Sequence, residues 1–158
     1  MSIFIKYLSK LFSKVLPFTD KMAYLRYFNQ PFTNFPKLSL QHYNRLAQEA
    51  ERNTFSIENV DTLEKKNGYR VDIEWIKSLA FNTQIVVKKS KLNYAHGRVL
   101  YSVLRSYLAT IDINYKKVNI LETGTARGFS AVCMAKALAD SRFEGTICTI
   151  DVLPHFQK

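Results

Sequence analysis

Between Val118 and Ser130 the chain reads VNILETGTARGFS, an apolar run that ends in an acid and breaks into a loop with glycines at 124 and 128. Residues 146–151, TICTID, form a second apolar run ending in a second acid. The pattern predicts a strand over Val118–Glu122, a helix from about Phe129 to Ala139, a turn at Arg142–Gly145 and a strand over Thr146–Asp151. Two strands separated by one helix and short turns pair side by side in parallel, with the helix as a right-handed crossover. This unit fixes the chain as α/β and sets the direction in which its loops point.

In open parallel sheets, ligands sit beyond the carboxyl ends of the strands. That edge should present Glu122, Thr123, Gly124, Thr125, Gly128 and Asp151. Gly124 permits a tight turn and close backbone approach, and Gly128 removes a Cβ where the following helix packs near the strand. Asp151 is placed to accept hydrogen bonds from the two hydroxyls of a ribose. A dinucleotide needs its pyrophosphate at the helix start over a three-glycine loop, and here Glu122 stands two residues before the first of only two glycines. That carboxylate repels a pyrophosphate and attracts a cationic ligand bearing sulfonium and ammonium groups.

These residues resemble the class I methyltransferases that use S-adenosylmethionine. The family's acid-x-Gly-x-x-x-Gly loop is matched by Glu122, Gly124 and Gly128, and its acid after the second strand by Asp151. The resemblance covers about Leu92 to His155, under half of the chain, and is similar to the branch that methylates small molecules and saccharides on oxygen. It implies a partial Rossmann-like fold, S-adenosylmethionine as cofactor, a small-molecule acceptor and no metal. The family's sheet has seven strands, and its catalytic residues come from later segments than Lys158. The chain is therefore expected to be an N-terminal piece, inactive alone or completed by a second chain, and no catalytic residue is named.

Upstream, three regions are expected: 1–37, 38–91 and the cofactor unit 92–158. Ser2–Leu16 reads as an amphipathic helix with Lys6, Lys10 and Lys14 on one face, suited to packing on protein, to an anionic membrane surface or to targeting. Cations and aromatics alternate over residues 21–37, where packing is a better account than base stacking. Ser39 should cap a helix to about Arg52. Residues 53–69 read as polar loop with at most a helical turn or two near 60–66, Asp72 should cap a helix through Ala80, and residues 84–88 form a strand or an extended connector. Tyr94–Thr110 is an amphipathic helix whose apolar stripe, Val99, Leu100, Val103, Leu104, Tyr107 and Leu108, should face the core, leaving Arg98, Ser102, Arg105 and Ser106 to solvent.

The net charge of +10 lies entirely before residue 118, because residues 118–158 carry four cationic and four acidic side chains. The basic surface is thus separate from the cofactor edge, and without a nucleic-acid-binding signature it does not select nucleic acid as a partner. Cys133 and Cys148 both read as core thiols of a reducing compartment. With no apolar run long enough to span a bilayer, a cytoplasmic protein is expected, peripheral to a membrane if the first helix binds one. His96 and His155 read as surface or capping groups, His42 as a face residue of its helix, and Arg127 as a solvated loop tip.

Overall fold

The computed structural model describes residues 38–87, 91–112 and 117–151. The basic helix expected over 2–16, the aromatic stretch 21–37 and His155 lie outside these residues. Five helices and a two-stranded parallel sheet make up the described part: α1 (Leu40–Phe55), α2 (Glu58–Asn67), α3 (Ile73–Thr83), α4 (Ala95–Leu108), β1 (Lys117–Thr123), α5 (Phe129–Asp140) and β2 (Glu144–Ile150). Among the described residues, no helix is long and apolar enough to cross a membrane.

Local chemistry starts and stops these helices as the sequence suggests. The Ser39 hydroxyl accepts from the His42 amide at 3.2 Å, and the Asp72 carboxylate from the Trp75 amide at 2.7 Å, each filling a valence that a helix start leaves open. The α1 helix then places Ala50, Leu46 and Tyr43 toward the core. His42, on the same helix, is buried. Residues 85–87 are an extended connector, with Ile85 and Val87 buried.

Two expectations fail together. Residues 58–67 are a full helix, with Glu58 and Asp61 in the first turn, Lys65 and Lys66 in the last, and Gly68 closing it at φ +77°, each suited to its end of the helix dipole. Moreover, α4 is rotated relative to its apolar stripe: Arg98 and Ser102 are fully buried, whereas Val103 and Tyr107 are exposed. The reason is shared. Arg98 donates from Nε to Glu64 Oε1 at 2.9 Å and from Nη2 to Glu64 Oε2 at 2.7 Å and to Asp61, while Nη1 reaches the Thr54 carbonyl at 2.9 Å. Asn67 donates to the Ser102 hydroxyl at 3.1 Å. The polar face of α4 is therefore the complement of a polar face of α2.

Arg70 completes the cluster, donating to Glu64 at 2.8 Å and to Asp61 at 3.1 Å. The hydrogen bond from Arg98 holds the Asp61 carboxyl below its ordinary range. Burial works against the charge on Arg98, yet Glu64 and Asp61 outweigh it and raise its pKa. The Phe55 ring lies 5.0 Å from the guanidinium carbon, a further favourable contact for a cation.

One residue before Arg98, Gly97 sets the distance between α4 and α5. A Cβ there would lie 2.6 Å from the Phe129 ring and 2.9 Å from the Cys133 sulfur, so only glycine lets the helices approach this closely. Phe129 meets Tyr94 edge-on with ring centroids 6.3 Å apart, and Tyr94 meets Phe55 at 6.0 Å, a geometry aromatic quadrupoles favour. The far end of the contact is closed by the Tyr101 hydroxyl, which donates to Asp140 at 2.7 Å.

The strands pair in parallel from Lys117 opposite Glu144 to Thr123 opposite Ile150. The face carrying Val118, Ile120, Glu122, Ile147 and Thr149 is half-buried on the α5 side, where Gly145 lets the strand pass under Leu138. On the other face Leu121 is 68% and Ile150 54% exposed. Cys148 is also exposed there, which corrects its expected place in the core; Cys133 is buried as expected.

Replacing Arg98 by Met leaves Glu64 buried with only Arg70 as partner and should cost about 3 kcal/mol. The double replacement Arg98→Met, Glu64→Leu should cost less than the single one, as read by urea unfolding. Burial first, aided by nearby carboxylates, pushes Tyr94 and Tyr101 up to about 12, and burial alone pushes Cys133 to about 12. Folded values above unfolded ones mean that stability is complete below about pH 8.5, where unfolded thiols begin to ionise, and is lost as pH rises toward the folded values. The melting temperature should fall steadily above that pH, and Cys133→Ala should move the onset toward the tyrosine range near about pH 10.

Candidate functional site

The carboxyl ends of β1 and β2 carry the candidate site. The Gly124 amide donates to the Ile150 carbonyl at 2.7 Å, which extends the parallel ladder one step past Thr123. The chain then turns through Thr125, Ala126 and Arg127, and the Gly128 amide closes the turn on the Thr125 carbonyl at 2.7 Å. The backbone is left-handed at Gly124 (φ +86°), Ala126 (φ +45°) and Gly128 (φ +76°). Gly128 is the N-cap residue of α5 and offers no side-chain cap.

Both glycines are thus required by conformation. Among the described residues, chain neighbours aside, no atom lies within 4 Å of a Cβ built at Gly124 or Gly128, so the expected close packing of helix on strand at Gly128 is not the cause. Gly145 fills that role instead, and Gly97 the corresponding one between α4 and α5.

Glu122 lies on the helix-side face of the sheet and is half-buried. Ser130, in the first turn of α5, donates its hydroxyl to Glu122 Oε1. The other oxygen, Oε2, is buried and has no hydrogen-bond partner among the described residues. A carboxylate beside the first turn of α5 is favoured by the positive end of the helix dipole. The Asp151 Oδ2 accepts from the Ala126 amide at 2.7 Å, so this acid reaches back across the strand ends to the loop.

The structure therefore brings Glu122, Gly124, Thr125, Gly128 and Asp151 to one edge. Thr123 belongs to the same edge but is exposed on the opposite sheet face from Glu122. Arg127 is exposed at the loop tip, and His96 is exposed with its ring 4.8 Å from that of Phe129. Sequence reasoning missed Ser130 and Ala126. Ser130 could have been found as a hydroxyl in the first helical turn after the loop; the amide of Ala126 has no sequence signal.

A separate cleft of about 820 Å³ is lined by Arg52, Phe55, Asp61, Arg70, Ile73 and Lys77, among others. Its charges are largely matched within the protein, Lys77 with Glu51 at 2.6 Å and Arg70 with Asp61 at 3.1 Å. Among the described residues, no group of histidines, cysteines and acids could hold a metal ion. No family model, no curated protein and no solved structure matches the chain.

Because Gly128 is required by its backbone angle, Gly128→Val should destabilise the chain by about 1–2 kcal/mol. Gly128→Asn should cost less, since asparagine tolerates this conformation. Urea unfolding of the two variants checks the order.

Proposed function

We propose that the unit formed by β1, α5 and β2 binds S-adenosylmethionine and is the cofactor-binding part of a Rossmann-like methyltransferase acting on a hydroxyl of a small molecule or saccharide. The observation that carries this reading is Glu122, whose buried Oε2 lacks a partner among the described residues at the edge where the glycine loop and Asp151 converge. A buried carboxylate oxygen calls for a donor, and the ammonium group of the cofactor's methionine moiety, directly or through water, is one.

The residues present fit the group. Glu122 would hold the cationic portion, with Ser130 fixing its other oxygen, and among the described residues nothing lies within 4 Å of a Cβ built at Gly124 or Gly128. Asp151, held at the loop by its bond from the Ala126 amide, is the acid that would accept from the ribose hydroxyls. A pyrophosphate fits poorly, because a carboxylate already stands beside the first turn of α5, where an anion would be bound. S-adenosylmethionine would supply an electrophilic methyl group on a sulfonium; the work of these residues is to bind and orient it.

Titrating the full chain with S-adenosylhomocysteine in a calorimeter should give saturable binding, with none for NAD. Asp151→Ala should weaken that binding by about 1.5–3 kcal/mol, the loss of hydrogen bonds to a charged group. A folded wild-type chain that releases no heat with S-adenosylhomocysteine overturns the reading.

A further inference from the structure

We infer that Asp151 is the positioning residue of the 124–128 loop, presetting its shape before any ligand arrives. The inference concerns the chain without ligand and goes beyond the cofactor reading. Three alternate loop positions are left-handed, and two of them are glycine. The third, Ala126 at φ +45°, carries a Cβ that crowds the following carbonyl oxygen in this conformation. Something must hold it there.

The loop amides show what does. Gly124 N–H is bound to the Ile150 carbonyl, Gly128 N–H to the Thr125 carbonyl and Ala126 N–H to Asp151 Oδ2, each at 2.7 Å. Two of the three anchors therefore belong to consecutive residues at the end of β2, and only the one on Ala126 is a side chain. A carboxylate acceptor makes that bond stronger than a neutral one. In glycine-rich loops that cradle nucleotides, free amides in left-handed turns collect the phosphate. Here Asp151 is the loop's own anion, which occupies the Ala126 amide and makes the loop a shaped surface with that donor withdrawn from phosphate.

Amide hydrogen exchange on the ligand-free full chain, followed by NMR, tests this. The Ala126 amide should exchange at least about tenfold more slowly in the wild type than in Asp151→Ala, the scale expected of a charge-assisted hydrogen bond. Asp151→Asn, which keeps an acceptor oxygen, should fall between them. Adding Ala126→Gly to Asp151→Ala should recover part of the lost melting temperature, because glycine needs no anchor in this conformation. Equal exchange of the Ala126 amide in folded wild type and folded Asp151→Ala overturns the inference. If Asp151→Ala does not fold, restoration of folding by Ala126→Gly supports it, and failure to restore folding overturns it. None of these outcomes depends on S-adenosylhomocysteine binding, so either proposal can fail without the other.

Discussion

A guanidinium that is only 1% exposed has to be neutralised where it sits, and Arg98 is neutralised by α2. Its bonds to Glu64, Asp61 and the Thr54 carbonyl join the end of α1, the length of α2 and the start of α4 at one point. Direction is what distinguishes this junction from an apolar one. A planar fork paired with a carboxylate accepts one mutual orientation of its helices, whereas greasy surfaces slide. The aromatic edge contacts from Phe55 through Tyr94 to Phe129 then carry that orientation to the first residue of α5.

At the candidate site, charge is used differently. Both acids of the candidate site are anchored to the protein, Glu122 by Ser130 and Asp151 by the Ala126 amide. One anchor runs from the end of β1 to the first turn of α5, the other from the residue after β2 to the middle of the glycine loop. The loop thus lies between two anchored carboxylates, and its shape comes from backbone angles and hydrogen bonds.

What could be read in the sequence followed the kind of signal available. The parallel unit was legible because β1 and β2 are apolar runs with acids at their ends, and the caps at Ser39 and Asp72 because their chemistry is local. The α2 helix and the rotation of α4 were not legible, because periodicity treats a polar residue as solvent-facing. Glu64, Asn67, Arg98 and Ser102 are polar residues that satisfy each other across an interface 34 or more residues apart in sequence. Neither helix alone shows that the other exists. In the site, the acids and glycines were evident, while the reason for Gly128 and the partner of Ala126 depended on backbone angles that a sequence does not display.

Gly97 and Arg98 are neighbours on α4 with opposite allegiances, one against Phe129 and Cys133 of α5, the other against α2. The helix that bears the glycine loop is therefore indexed to the helical region through a single peptide unit. Anyone grafting this loop into another scaffold, or joining it to a different leading region, cannot cut in the turn before β1 as the strand pattern invites. The transplantable piece begins ahead of Ala95, and it must bring its own carboxylate for Arg98 or meet one in the host.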